Sequence, residues 1–110
     1  MNLNVKKLNQ IIVNNQVTKI AIPVSGSKKI VSQICITNLS RSDEIYVTIY
    51  AYGNNSNNII FPKIKISPES HANVLEDSFT LPLISDDEIL YAKTNSNGNA
   101  LITVFGVEVV

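Results

Sequence analysis

The chain of 110 residues has the size of one domain and is too short for two ordinary ones. It is 45% hydrophobic and 16% charged, and its formal net charge at pH 7 is zero. This composition can fill a core, and it lacks the net charge that keeps many small proteins apart. We therefore expect one folded domain with a tendency to self-associate.

The basic residues are dispersed along the chain. They are Arg41 and eight lysines, which stand alone or in short pairs. Domains that bind nucleic acid gather arginine and lysine on one face, so this distribution disfavours a nucleic-acid partner.

Signals for an oxidising compartment or a membrane are weak. Cys35 is the only cysteine, which excludes an internal disulfide and a thiolate zinc cluster, and its setting predicts a half-buried or buried strand residue. The N-terminal stretch MNLNVKKLNQIIVNN has only a short apolar run after its lysines. That run is too short for a secretory signal or a membrane span, so we expect no membrane partner.

Apolar and polar residues alternate with a period of two along most of the chain, and turn residues interrupt the pattern at short intervals. The first sixteen residues predict either an N-terminal arm or a first strand. No later segment has a convincing helical period. Strand patterns occupy residues 17–24, 28–39, 44–52, 59–66, 71–77, 79–84, 88–94 and 100–110.

Proline and glycine residues at three places add detail to this pattern. Pro62 cannot donate to a strand ladder, so segment 59–66 is predicted as an edge strand or a bulge. The pair Asn97-Gly98 lies between two strand patterns and predicts a hairpin with a type I′ turn. Gly106 indicates a bulge in the last segment.

The strand count predicts the fold class. In segment 28–39 the spacing places Ile30, Ile34 and Ile36 on one side of a strand. Seven to nine short strands without intervening helices are typical of an all-β fold. We predict a single antiparallel β-sandwich, jelly-roll-like, with about eight strands over residues 17–110.

Segment 44–52, EIYVTIYAY, has an aliphatic side and an opposite side with three of the chain's four tyrosines, Tyr46, Tyr50 and Tyr52. This tyrosine side has three interpretations: packing against a second sheet, contact between subunits, or an aromatic platform for a glycan. The loop at 53–58 follows, and Asn54 and Asn55 belong with the tyrosines to a predicted interface.

Residues suited to catalysis are scarce. His71 is the only histidine and stands near Glu69 beside a turn, which predicts a solvated or capping role. Asp86-Asp87-Glu88 lacks calcium-loop spacing and fits a polar turn better than a metal site. Paired carboxylates from Asp77 and that cluster would need a cleft that a small sandwich rarely provides. We expect no enzyme, no metal site and no cofactor.

Several stretches share a recurring order of turns and strands. An early strand ends in a proline and a small-residue turn, and a later strand leads into an I-x-I-x-N segment, as in VTKIAIPVSGSKKIVSQICITNLSRSDEIYVTIY. Further along stand ISPESHANVL, LISDDEILYAKT and LITVFGVEVV. Over residues 17–110 this pattern resembles small all-β virion proteins of tailed bacteriophages. It departs from them at SDDE, where that family has G-D, and in residues 1–16.

The resemblance implies a non-enzymatic virion protein that is made in the cytoplasm of a host bacterium. The leading interpretation is an auxiliary capsid protein, a decoration or head-fibre component, that binds the major capsid protein. It would form a homo-oligomer, with a trimer as one form. The alternatives are a tail or tail-fibre-associated structural protein and a host-surface glycan-binding module that uses the tyrosines or the loop at 53–58.

Overall fold

The computed structural model describes residues 5–23, 28–74, 80–83, 88–95 and 98–109. Within these ranges the chain forms strands and one short 3₁₀ helix, Ser56–Asn58. The strands are β1 (Lys6–Val13), β2 (Thr18–Ala21), β3 (Lys28–Asn38), β4 (Ile45–Ala51), β5 (Ile59–Ile66), β6 (His71–Val74), β7 (Leu81–Leu83), β8 (Leu90–Thr94) and β9 (Ala100–Val109).

The strands form two antiparallel sheets that pack face to face. Sheet A has the order β1-β9-β3-β6, and β7 pairs with another part of the β3 edge. Sheet B has the order β2-β8-β4-β5. This strand order is that of a jelly roll, in which the chain passes repeatedly between two sheets. The predicted antiparallel β-sandwich is confirmed, and residues 6–13, within the segment predicted as an arm or a strand, form β1.

Aliphatic side chains fill the space between the sheets. Most are β-branched, which suits a pleated strand. Burying one such side chain contributes about 1.5–3 kcal/mol, so this layer is the main source of stability. The largest fully buried side chains are Val13, Ile20, Val31, Ile34, Ile36, Ile45, Val47, Ile49, Ile66, Leu83, Leu90 and Ile102.

A β-bulge changes which side of β3 faces the core. The register with β9 shifts between Val31 and Gln33, so Val31 is fully buried and Ile30 is only half-buried, on the outer side. The prediction that Ile30 shares one side with Ile34 and Ile36 is therefore wrong. An extra residue in the strand reverses the alternation at this point.

Gly106 lies beside two bulges. Its neighbours β3 and β1 both shift register next to it, β1 between Lys7 and Asn9. A Cβ atom at Gly106 would clash with the carbonyl oxygen of Ile30. The glycine therefore allows β9 and β3 to approach closely where the bulges lie, although the extra residues are in the flanking strands rather than in β9.

Edge strand β5 agrees with its sequence pattern. It forms a hairpin with β4, and the register shifts between Val47 and Ile49 where Pro62 and Lys63 lie opposite Thr48. The Thr48 hydroxyl donates to the carbonyl oxygen of Pro62 at 2.8 Å. Both parts of the prediction, an edge strand and a bulge, are confirmed.

The predicted hairpin around Asn97-Gly98 is wrong. β8 pairs with β2 and β4 in sheet B, whereas β9 pairs with β1 and β3 in sheet A. The chain therefore crosses between the sheets here, and the Thr94 hydroxyl donates to the carbonyl oxygen of Gly98 at 2.8 Å. Residue 97 lies outside the described residues. A local turn signal does not reveal which sheet the next strand joins.

Asn38 joins the two sheets at one end of the sandwich. Its side chain is 2% exposed, and its Nδ2 donates to the carbonyl oxygens of Asp43 at 2.8 Å and Ile66 at 3.0 Å, with that of Ser67 at 3.2 Å. Its Oδ1 accepts from the Ser40 amide at 2.8 Å. Asn38 ends β3 in sheet A and Ile66 ends β5 in sheet B, so one carboxamide connects both sheets.

We expect Asn38→Ala to lower the free energy of unfolding by about 2–4 kcal/mol, because buried carbonyl oxygens lose their donor. Asn73→Ala, at an exposed position of β6, is the control and should change it by no more than about 0.5 kcal/mol. Denaturant titration followed by circular dichroism measures both. A loss below about 1 kcal/mol for Asn38→Ala would mean that water replaces the carboxamide.

Candidate functional site

The outer face of sheet B carries three of the chain's four tyrosines and half of its lysines. These side chains alternate along their strands with buried residues, so they point away from the core. We call this surface the lysine–tyrosine face. Its members are Lys19 on β2, Tyr91 and Lys93 on β8, Tyr46, Thr48 and Tyr50 on β4, and Lys63 and Lys65 on β5.

The strand register gives the layout of the lysine–tyrosine face. Rows across the sheet place Lys19 with Tyr91 and Tyr50, Lys93 with Thr48, and Tyr46 with Lys65. Neighbouring strands are about 4.8 Å apart and alternate residues along a strand about 7 Å apart. The lysines and tyrosines therefore share one sheet surface that is four strands wide.

Positive charge is in excess on this face. Lys65 forms an ion pair with Glu44 at 3.3 Å. Lys19, Lys63 and Lys93 form no ion pair with any residue that the structure describes. Three of the four ammonium groups on this face therefore lack an ion-pair partner within the described ranges, although the whole chain has zero formal net charge.

Glu44 lies at the margin of the face and is bound to Tyr46. The Tyr46 hydroxyl donates to Glu44 Oε1 at 2.8 Å, and this hydrogen bond, helped by the Lys65 ammonium, lowers the pKa of Glu44. The same hydrogen bond raises the pKa of Tyr46, since the hydroxyl must keep its proton to donate. The backbone amide of Tyr46 donates to Asn95 Oδ1 at 3.0 Å.

The structure separates the three predicted interface tyrosines. Tyr46 is half-buried, and Tyr50 is only 5% exposed between its cross-strand neighbours Tyr91 and Ile59. Most of the Tyr50 ring is therefore already covered within the subunit. The role of these tyrosines as an interface stays a prediction.

Tyr52 lies outside the lysine–tyrosine face. β4 ends at Ala51, and Tyr52 has a backbone φ of 66°. Its hydroxyl donates to the carbonyl oxygen of Pro82 at 2.7 Å, on β7 of sheet A. Burial raises the pKa of Tyr52, and Glu88 raises it further. The prediction of one strand face with three tyrosines is wrong, because the backbone leaves the extended conformation before Tyr52.

The predicted interface loop lies at the far end of β4 from Tyr46. Asn54 and Asn55 are exposed, and Asn55 Oδ1 caps the 3₁₀ helix by accepting from the Asn57 amide at 3.0 Å. The strand between Tyr46 and this loop spans about 15–20 Å. The structure therefore does not bring these asparagines together with Tyr46, and their contact role stays a prediction.

The outer face of sheet A has the opposite character. Residues 30–37 of β3 and 101–107 of β9 include no charged side chain. Ile12 on edge strand β1 is 59% exposed and stands opposite Leu101. Lys7 and His71 lie only at the margins. We call this surface the uncharged face, and its members are Ile12, Ile30, Gln33, Cys35, Thr37, Leu101, Thr103, Phe105 and Val107.

Only some of the residues considered for chemistry lie in the described part of the chain. His71 is exposed and Cys35 is half-buried on β3, as predicted. Asp77, Asp86 and Asp87 lie outside the described residues. The described part of the chain contains no group of three or more His, Cys, Asp or Glu side chains that could hold a metal ion. It also contains no helix with the length and hydropathy needed to cross a bilayer.

Comparisons with known proteins found no match for this chain, either among protein-family models or among curated proteins.

Sequence reasoning missed the gathering of lysines. Each of Lys19, Lys65 and Lys93 alternates with a buried neighbour, so its outward position can be read from the sequence. The order β2-β8-β4-β5 that places these distant segments side by side cannot be read from local patterns. The basic residues are therefore dispersed along the chain but partly gathered in space.

We expect Tyr46→Phe to raise the pKa of Glu44 toward its ordinary value of 4.5, because the phenol that favours the carboxylate is removed. Because the pKa of Glu44 is lower in the folded state than in the unfolded chain, the Glu44 carboxylate stabilises the fold at pH values above its ordinary pKa. This stabilisation is lost as the pH falls through the lowered pKa. The variant should therefore lose less stability on acidification than the natural chain. Nuclear magnetic resonance titration of the Glu44 carboxyl measures the pKa.

Tyr91→Phe is the matched control, because it removes a hydroxyl from the same face without touching Glu44. An unchanged Glu44 pKa in Tyr46→Phe would show that the hydrogen bond does not form in solution.

Proposed function

We propose that the protein is a non-enzymatic structural protein of a phage virion, an auxiliary capsid protein that binds the particle surface. The resemblance of residues 17–110 to small all-β virion proteins supports this proposal. The observation that carries it is the uncharged face of sheet A, which offers a contact surface on a rigid sheet.

The uncharged face has the composition of a protein contact. Interface cores are depleted of charged residues, since each buried charge must lose its hydration. The central strands β3 and β9 present only apolar and neutral polar side chains there, and Ile12 extends the apolar part to the edge. Docking through this face would cover Ile12 and Leu101, with Lys7, the β1 neighbour of Phe105, at the rim of the contact.

The overall charge also suits an assembly of many copies. A chain with zero formal net charge adds no long-range repulsion when copies sit close together on a symmetric shell. The partner in this proposal is the major capsid protein, and the subunits form a homo-oligomer, with a trimer as one form. A position on the tail, against tail proteins, is the alternative that the same face permits.

We expect Ile12→Lys to weaken sedimentation of the purified protein with purified phage particles by at least about tenfold, because an ammonium group would be buried in an apolar contact. Ile12 is 59% exposed, so the fold should survive the change. Ile60→Lys is the matched control, since Ile60 is 36% exposed on edge strand β5 of the other sheet.

Equal binding by the two variants would contradict docking through the uncharged face. Absence of the protein from purified virions by mass spectrometry would contradict the proposed function itself. Antibody labelling in the electron microscope separates the head from the tail location.

We expect light scattering of the purified protein to give a discrete mass above the 12.1 kDa of the monomer, and three times that mass for a trimer. The reason is the tendency of a neutral chain with an uncharged sheet face to self-associate. A mass of 12.1 kDa at all concentrations tested would contradict self-association.

A further inference from the structure

The lysine–tyrosine face of sheet B takes no part in the docking proposed for sheet A. It lies on the opposite side of the sandwich and carries four of the eight lysines. Lys19, Lys63 and Lys93 have no ion-pair partner among the described residues. Three such ammonium groups on one sheet surface favour a ligand with several negative charges.

The face suits an extended ligand rather than a single anion. It spans four strands, and the backbone positions of neighbouring lysines are about 7–10 Å apart along and across the strands. A phosphate site gathers its cations around one anion, whereas these lysines are distributed over β2, β8 and β5. A linear polymer with charges at intervals can reach several lysines at once.

The side chains between the lysines are amphipathic. Tyr46 and Tyr91 are half-buried, so each offers part of a ring together with a hydroxyl group. Thr48 lies between them in the register and adds a hydroxyl. Sugar rings present apolar C–H surfaces and many hydroxyl groups, and this mixture of ring edges and hydroxyls is complementary to them.

A nucleic acid fits these observations less well. Proteins that bind single strands use open aromatic rings for base stacking, whereas Tyr50 is 5% exposed and the rings of Tyr46 and Tyr91 are half-buried. The chain's isoelectric point near 6.5 is also low for a domain that binds a phosphate backbone.

An acidic protein surface fits less well too. Lysine is depleted in protein interfaces, where arginine is enriched, because a lysine ammonium is strongly hydrated. The four cations of the lysine–tyrosine face are all lysines. Lysines that keep their water suit a hydrated polysaccharide better than a dry protein contact.

We propose that the lysine–tyrosine face binds a linear anionic polysaccharide whose sugar rings carry carboxylate or sulfate groups. Lys19, Lys93 and Lys63 attract the charges, and Tyr91 and Tyr46 contact the sugar rings. This proposal holds whether or not sheet A docks on a phage particle.

Isothermal titration calorimetry with the full chain tests the proposal. The probes are polygalacturonate and heparin, with neutral dextran and a thymidine oligonucleotide for comparison. We expect binding to at least one of the two anionic polysaccharides and none to dextran. The affinity should fall at least about fivefold when the salt rises from about 50 mM to about 300 mM, because exposed charges are screened.

The double variant Lys19→Glu/Lys93→Glu should lower the affinity at least about tenfold, because it reverses the charge at two of the three lysines that have no ion-pair partner among the described residues. The matched control is Lys7→Glu/Lys28→Glu, which makes the same charge change on sheet A and should alter the affinity less than about threefold. Thermal melting checks that both variants fold.

Three outcomes would overturn the proposal. They are no binding to either anionic polysaccharide at low salt, equal losses in the two double variants, and tighter binding of the oligonucleotide than of both polysaccharides. The last outcome would assign the face to a nucleic acid. None of them bears on virion docking, which the sedimentation experiment tests separately.

Discussion

The alternation of side chains along each strand is the constraint on which the rest of the molecule depends. Ile45, Val47 and Ile49 fill the core from sheet B, so Tyr46 and Tyr50 must point outward. The same rule on sheet A turns uncharged residues outward from β3 and β9. A chain with zero net charge thereby acquires two outer faces of different chemistry, one neutral and one cationic.

Local departures from alternation make a closed sandwich possible. The bulge at Val31–Gln33 and the close approach at Gly106 adjust β3 and β9 to each other. At one end, the Asn38 carboxamide satisfies carbonyl groups from two loops and from β5. Asn38 is also the asparagine of the I-x-I-x-N segment, so that motif has a structural explanation: a buried amide where the two sheets meet.

The sequence predicts the strands well because the period of two is a local property. Segments 28–39 and 59–66 became strands close to their predicted bounds, and Pro62 marked the edge strand. Strand order is not local, so the crossing between β8 and β9 was mistaken for a hairpin and the gathering of lysines was missed. Tyr52 leaves the sheet because its backbone has a positive φ. A tyrosine does not by itself indicate that conformation, so the sequence pattern extended the strand to residue 52. The virion role and the interface stay predictions.

The central claim is that the uncharged face of sheet A contacts the phage particle, whereas the lysine–tyrosine face of sheet B does not. A cryo-electron microscopy map of the phage particle with the protein bound tests it most directly. The account predicts that strands β1, β9 and β3 lie against the particle and that the lysine–tyrosine face of sheet B points to solvent. A map with sheet B against the particle, or with contact only through the loops at the ends of the sandwich, would contradict it.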